Sequence, residues 1–185
     1  VPTLNTLYNS DHNILGVVTN PDRKSGRGLK IQSSSIKKYA AKLNLPILQP
    51  NDLNNRNFIS SIKKINPDIF VVVAYKIIPE LILEIPPLGA VNLHASLLPK
   101  YRGAAPVNYA ILNGEEYTGI TTFILEKKVD VGDILLQDKL KIGNSSTAGD
   151  LLEKLSQIGA DLMIRTLDGL ADNSIVSYKQ DNSLA

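Results

Sequence analysis

Asn92, His94 and Asp130 are residues of the types that bind negatively charged oxygen and transfer protons. Asn92 and His94 are two apart in a segment we expect to be a strand, so both side chains would point to the same face of a sheet. Each of the three also has a purely structural explanation. A strand-end Asn and a buried His are often only hydrogen-bonded, and Asp130 lies in VDVGD, where Asp and Gly form turns. Taken one at a time, these residues leave catalysis and structure as open alternatives.

The sequence lacks the patterns that bind common cofactors. No G-x-G-x-x-G follows an apolar run, and there is no Walker-type phosphate loop or G-x-S-x-G motif. The chain has no Cys and 2 His, which excludes thiolate zinc sites and makes a multi-histidine metal site improbable. We therefore expect chemistry without a metal, a dinucleotide or a bound nucleotide.

The composition is that of a globular protein. The 185 residues are 43% hydrophobic and 21% charged, and 20 Lys plus Arg against 18 Asp plus Glu give a net charge of +2. No apolar run approaches the ~20 residues of a membrane span, and no secretion signal is present. We expect a monomeric cytoplasmic protein without membrane contact.

Alternating apolar runs and turn residues favour an α/β fold. The pattern predicts strands at residues 14–19, 68–75 and 90–94 and a helix from the serines at 33–35 to Leu43. Such alternation is typical of a doubly wound, Rossmann-like and mostly parallel sheet. Ligands bind at the carboxyl ends of the strands in such sheets, which is where Asn92 and His94 would lie.

The second half of the chain has a different pattern. It predicts a helix at residues 105–112 and two strands at 119–125 and 134–142, whose short connection suits an antiparallel hairpin. Thr147 and Asp150 resemble a capping box that opens a long helix. The chain begins with a short helix at residues 2–8 rather than with a strand, so we expect that a first strand is missing.

Two long stretches give the most specific pattern. Residues 92–121 read NLHASLLPKYRGAAPVNYAILNGEEYTGIT, which closely resembles the signature of formyltransferases that use 10-formyltetrahydrofolate. Residues 19–30 read TNPDRKSGRGLK and resemble the loop characteristic of the methionyl-tRNA formyltransferase branch of that family. Residues 49–53 (QPNDL) and 129–137 (VDVGDILLQ) fit the same family. The resemblance covers nearly the whole chain.

The resemblance implies roles for the residues at matching positions. The catalytic Asn, His and Asp of the family fall on Asn92, His94 and Asp130. The positions that contact tetrahydrofolate are Ser96, Leu97, Leu98 and Pro99. The positions that reach the acceptor end of tRNA are Arg23, Lys24, Arg27 and Lys30.

The basic loop has two explanations. Residues 20–30 contain four cations and one carboxylate, a local charge of +3. Composition alone would fit a solvated loop, whereas attraction to phosphate makes the tRNA role physically reasonable.

The implied activity is transfer of the formyl group from 10-formyltetrahydrofolate to the amino group of initiator methionyl-tRNA. Asn92 would donate to the oxyanion of the tetrahedral intermediate, with protonated His94 as a second donor. Asp130 would orient His94, favour its charged form and relay the proton lost by the amine. No metal is required.

The resemblance is incomplete in ways that leave alternatives open. After the central strand the chain has AYKIIP at residues 74–79, one residue shorter than the family's usual A-Y-G-x-x-L-P. The family's opening strand and its C-terminal β-barrel domain are also missing, so we expect residues 1–185 to be a truncated catalytic domain. The alternatives are a formyltransferase acting on a nucleotide-linked amino sugar, a formyltetrahydrofolate hydrolase-like domain, and an inactive fragment that retains part of the folate site. The basic loop argues against the first two, because a small acceptor has no need of it.

Overall fold

The computed structural model describes residues 1–25 and 30–185 and has an α/β architecture. Its α-helices are α1 (Pro2–Tyr8), α2 (Ser35–Lys42), α3 (Arg56–Ile65), α4 (Glu80–Leu83), α5 (Pro106–Leu112) and α6 (Ala148–Ala171), and a short 3₁₀ helix spans Asn182–Leu184. The strands are β1 (Val17–Val18), β2 (Arg23–Ser25), β3 (Lys30–Gln32), β4 (Ile47–Leu48), β5 (Phe70–Val73), β6 (Ala90–His94), β7 (Tyr117–Ile124) and β8 (Ile134–Lys141).

The strands of the described residues form three sheets. β1 pairs in parallel with β4, and β2 pairs in antiparallel with β3. The largest sheet has the order β5-β6-β7-β8, in which β5 and β6 are parallel and the pairs β6–β7 and β7–β8 are antiparallel. The α/β class and the antiparallel hairpin near the end of the chain are therefore confirmed.

The first predicted strand is shorter than its apolar run. β1 comprises Val17 and Val18, because its partner β4 is itself confined to Ile47–Leu48. Pro46 precedes β4 and contributes a carbonyl to Val17 but no N–H group, so the ladder does not extend past it. Ile14, which precedes β1, packs against the core without joining a ladder.

Helix α6 is the main support of the large sheet. It begins at a capping box, in which the Thr147 side chain accepts from the Asp150 N–H and the Asp150 carboxylate accepts from the Thr147 N–H. Its fully buried residues are at most 1% exposed, apart from the buried Gly159, which has no side chain. They are Leu151, Leu155, Gly159, Ala160, Leu162, Met163 and Thr166. A side chain at Gly159 would collide with Ile120 of β7 and with Leu93 of β6. Gly159 therefore lets α6 pack closely on the sheet face that carries Leu93.

Candidate active site

Asn92 and His94 lie on one face of β6, opposite Leu93 and helix α6. The strand is hydrogen-bonded on both sides, with Asn92 in register with Val72 of β5 and His94 in register with Thr121 of β7. Because successive side chains alternate between faces, residues 92 and 94 point away from α6. The central strand therefore fixes both functional groups on a rigid element.

His94 is 8% exposed and has protein groups at both ring nitrogens. Nε2 lies 2.8 Å from the backbone carbonyl oxygen of Tyr101, to which it donates. Nδ1 lies 3.6 Å from Oδ2 of Asp130. The carbonyl thus fixes the proton of a neutral imidazole on Nε2 and leaves the Nδ1 lone pair toward Asp130.

Asp130 lies in the loop that joins β7 to β8 and is 7% exposed. Its Oδ2 accepts a hydrogen bond from the Gly103 N–H at 2.8 Å. Its backbone has φ 52°, a left-handed conformation that residues other than glycine rarely adopt. Tyr101 has φ 59°, so two of the segments that meet at this site have strained backbones.

Asn92 and Asp130 line the same cleft of about 100 Å³. The Oδ1 atom of Asn92 is buried and lacks a hydrogen-bond partner. The hydroxyl of Tyr75, a second lining residue, is likewise buried and unpartnered, and burial raises the pKa of this phenol. Unsatisfied buried polar atoms are rare in folded proteins. Two of them beside one cleft make it a candidate site for a ligand with hydrogen-bonding groups.

The predicted folate-contacting residues lie beside a second cleft of about 360 Å³, which Leu97, Leu98 and Pro99 line. Ser96 is 1% exposed, and its hydroxyl donates to the Lys100 carbonyl at 2.6 Å. These four residues begin two positions after His94 and do not line the cleft of Asn92 and Asp130. Their contact with folate stays a prediction.

A group of side chains fixes Tyr101, whose carbonyl orients His94. The Tyr101 hydroxyl donates to Glu115 Oε1 at 2.8 Å, and Lys100 Nζ lies 3.0 Å from the same oxygen. These contacts lower the pKa of Glu115, the Tyr101 hydrogen bond being the larger cause. The hydrogen bond to Glu115 raises the pKa of Lys100.

Of the predicted tRNA-contacting residues, Arg23, Lys24 and Lys30 belong to the paired strands β2 and β3, and Arg27 lies outside the described residues. Arg23 is exposed in β2, Lys24 is in register with Ile31, and Lys30 begins β3. The one carboxylate of residues 20–30, Asp22, pairs with Lys37 of α2 at 2.6 Å. This bond is the main cause that lowers the pKa of Asp22. Because Lys37 already neutralises Asp22, that carboxylate offsets little of the hairpin's positive charge.

Backbone groups complete the site and were not predicted from the sequence. The Tyr101 carbonyl and the Gly103 N–H contact His94 and Asp130, but a backbone group has no residue type by which it could be recognised. The K-Y-R-G stretch itself was recognisable, as part of residues 92–121. Across the described ranges, no group of three or more His, Asp or Glu residues could hold a metal ion, and no helix is long and apolar enough to span a bilayer.

Comparison with known proteins places this site in a family context. A family profile described as "Formyl transferase" matches residues 2–167. Over 185 residues the chain is 47% identical to the methionyl-tRNA formyltransferase of Thermodesulfovibrio yellowstonii, covering 100% of this chain and 60% of the relative. It is 43% identical over 181 residues to the enzyme of that name from Porphyromonas gingivalis, covering 98% of this chain and 56% of the relative.

A solved structure agrees at the level of the fold. The phosphoribosylglycinamide formyltransferase of Bacillus halodurans superposes with a TM-score of 0.77 at 18% identity, over 91% of this chain and 87% of that one. The chain spans somewhat more than half the length of the curated relatives it matches. The profile match and the relatives together show that this chain belongs to the formyl transferase family.

Proposed function

We propose that this chain carries the catalytic site of a methionyl-tRNA formyltransferase. In the proposed reaction the amino group of initiator methionyl-tRNA attacks the formyl carbon of 10-formyltetrahydrofolate. A C–N bond forms to the amine and the bond to N10 breaks, while the amine loses one proton and N10 gains one. The observation that carries the proposal is the convergence of Asn92, His94 and Asp130 at one site of a chain 47% identical to a relative of that name.

The cleft of Asn92 and Asp130 fits the reacting end of this donor. At about 100 Å³ it is smaller than the pockets that enclose whole drug-sized ligands, so it suits a formyl group and its immediate surroundings. Its lining includes Val72 and Val129 as well as the unpartnered polar atoms of Tyr75 and Asn92. Charged residues also line the cleft, namely Lys76, Glu126, Lys127 and Lys128, so its wall combines apolar, charged and unpartnered polar groups.

Asn92 supplies the direct contact with the reacting centre. A carboxamide donates through Nδ2 and accepts through Oδ1, so one side chain binds the oxyanion and also accepts an N–H of the attacking amine. The buried, unpartnered Oδ1 supports this role, because the amine would satisfy it. A donor held on a strand needs no reorganisation when the oxyanion forms.

Asp130 and His94 act together on the proton. Asp130 lines the cleft, so its carboxylate would contact the amine of the substrate. His94 lies beside Asp130, so its imidazole would contact the carboxylate and not the substrate. With a proton on each nitrogen, the ring would donate to Asp130 through Nδ1 and to Tyr101 through Nε2. A hydrogen bond from His94 to the oxyanion would require Nε2 to leave the Tyr101 carbonyl.

The β2–β3 hairpin is the proposed contact for the tRNA acceptor end. Arg23, Lys24, Arg27 and Lys30 give this segment a positive charge that suits a phosphate backbone. A relative named for a charged tRNA, at 47% identity, supports this acceptor over an amino sugar. We further propose that the chain acts as a monomer, in the compartment where translation takes place.

The proposal is tested by combining the purified chain with 10-formyltetrahydrofolate and charged initiator tRNA. Formyl transfer is measured as blocked amino groups on radiolabelled methionine released from the tRNA. A nucleotide-linked amino sugar serves as the competing acceptor in parallel reactions. Transfer to methionyl-tRNA is expected; transfer to the sugar alone, or tRNA-independent release of formate, would refute the assignment.

A further inference from the structure

The carboxamide of Gln180 is a second group that contacts the Asp130 loop. Gln180 is 9% exposed, and its Nε2 donates to the carbonyl oxygens of Asp130 at 2.9 Å and Gly132 at 2.8 Å. Its Oε1 accepts from Nε and Nη2 of Arg102, at 2.9 and 2.7 Å. Both hydrogens and both lone pairs of the amide are therefore used.

The loop that Gln180 contacts is tightly turned and depends on hydrogen bonds from outside the loop. Asp130 has a left-handed backbone, with φ 52°. A side chain at Gly132 would collide with the Ile124 carbonyl, so the loop doubles back tightly against β7. Their carbonyls point to Gln180 and do not pair across the hairpin. Hydrogen bonds from outside the loop keep this conformation, and hence the direction of the Asp130 carboxylate.

The other side of Gln180 reaches the segment that contacts both catalytic side chains. Arg102 lies between Tyr101, whose carbonyl accepts from His94, and Gly103, whose N–H donates to Asp130. Gln180 thus links the Arg102 side chain to the Asp130 main chain. The segment 101–103 and the loop that holds Asp130 are therefore both hydrogen-bonded to the amide of Gln180.

We infer that Gln180 is a positioning residue for Asp130. It fixes the carboxylate between the Gly103 N–H and Nδ1 of His94 without touching substrate itself. A merely structural residue would contribute to stability whatever occupies position 130. A positioning residue instead loses its effect on turnover once the Asp130 carboxylate is gone. This inference rests on the proposed function, because turnover is one of its measurements.

Two substitutions separate the hydrogen bonds that Gln180 donates from those it accepts. Gln180→Ala removes all four, whereas Gln180→Glu keeps an acceptor for Arg102 and removes both donors to the loop. We expect either variant to lower kcat by about thirtyfold or more, with KM for both substrates within about threefold of the wild type. Full activity of Gln180→Glu would overturn the inference, because the donated bonds would then be unnecessary. Gln157→Ala, on the exposed side of α6, is the matched control and should leave kcat unchanged.

A double-substitution cycle distinguishes positioning from stability. In the Asp130→Asn background, Gln180→Ala should change kcat by less than about threefold, because interacting residues are not additive. An undiminished loss in that background would show that Gln180 acts independently of Asp130 and would overturn the inference. Thermal unfolding of each variant confirms that the comparison is made on folded protein.

A measurement that does not depend on activity completes the test. The Gly103 N–H donates to Asp130, so release of the loop by Gln180→Ala should speed its hydrogen exchange by about tenfold or more relative to amides of α6. Unchanged exchange at Gly103 would contradict the inference. If the wild type transfers no formyl group, the proposed function fails, and the exchange of Gly103 alone decides the role of Gln180.

Discussion

Oδ2 of Asp130 lies 3.6 Å from Nδ1 of His94, a distance just beyond a direct hydrogen bond. Nε2 donates to the Tyr101 carbonyl, so Nδ1 is the ring nitrogen that faces the carboxylate. Addition of a proton at Nδ1 converts this contact into a charge-assisted hydrogen bond. In the proposed reaction, His94 and Asp130 could therefore hold between them the proton that the amine loses.

Asp130→Asn tests this relationship with little change in shape. The introduced amide still offers an oxygen to the Gly103 N–H, but it has no charge and cannot take a proton from the amine. We expect kcat to fall by about a hundredfold or more, the usual contribution of a general base. Steady-state formylation kinetics measure this, with Asp161→Asn on the exposed side of α6 as the control. A loss smaller than about threefold would exclude Asp130 from the proton pathway.

Asn92→Ala tests oxyanion binding. Removal of one preorganised donor of this kind lowers kcat by about a hundredfold or more, and we expect that loss with KM for the folate within about threefold of the wild type. The control is Asn144→Ala in an exposed turn. If kcat were nearly unchanged and KM for the folate rose instead, Asn92 would bind the ground state and not the transition state.

The elements that carry these residues were predictable because local pattern and tertiary packing agree there. The run at 90–94 forms β6 with the bounds predicted for it, and Thr147 caps α6 through the pair that the sequence indicated. The helix Arg56–Ile65 was missed, although Asn55 caps it and Phe58, Ile62 and Ile65 have helical spacing. The partners of the site were harder to predict, because a backbone carbonyl at Tyr101 or a contact between Gln180 and Asp130 depends on the closed fold.

Arg27→Ala tests the proposed tRNA contact through its salt dependence. Loss of one phosphate contact should raise KM for methionyl-tRNA and reduce the slope of log binding against log salt by about 1. Folate binding, measured by titration calorimetry, should not change. Arg56→Ala removes an exposed cation at the start of α3 and should leave the slope unaltered. Equal weakening of folate and tRNA binding would indicate misfolding and not a lost phosphate contact.

Glu115→Gln links stability to pH through the side chain that fixes Tyr101. Hydrogen bonds from Tyr101 and Lys100 lower the pKa of Glu115 below its ordinary value of 4.5, so the carboxylate stabilises the folded state above that pH. The pair is partly exposed, with 55% of the Lys100 side chain and 27% of the Glu115 side chain accessible, so we expect a loss of no more than about 1 kcal/mol at pH 7. As the pH falls through the lowered pKa, the wild type protonates Glu115 and loses this contribution, and the two unfolding curves should converge. Thermal unfolding between neutral pH and pH 3 measures the difference, and Glu153→Gln on α6 is the control. A difference in melting temperature that is independent of pH would show that the Glu115 contribution comes from packing and not from its charge.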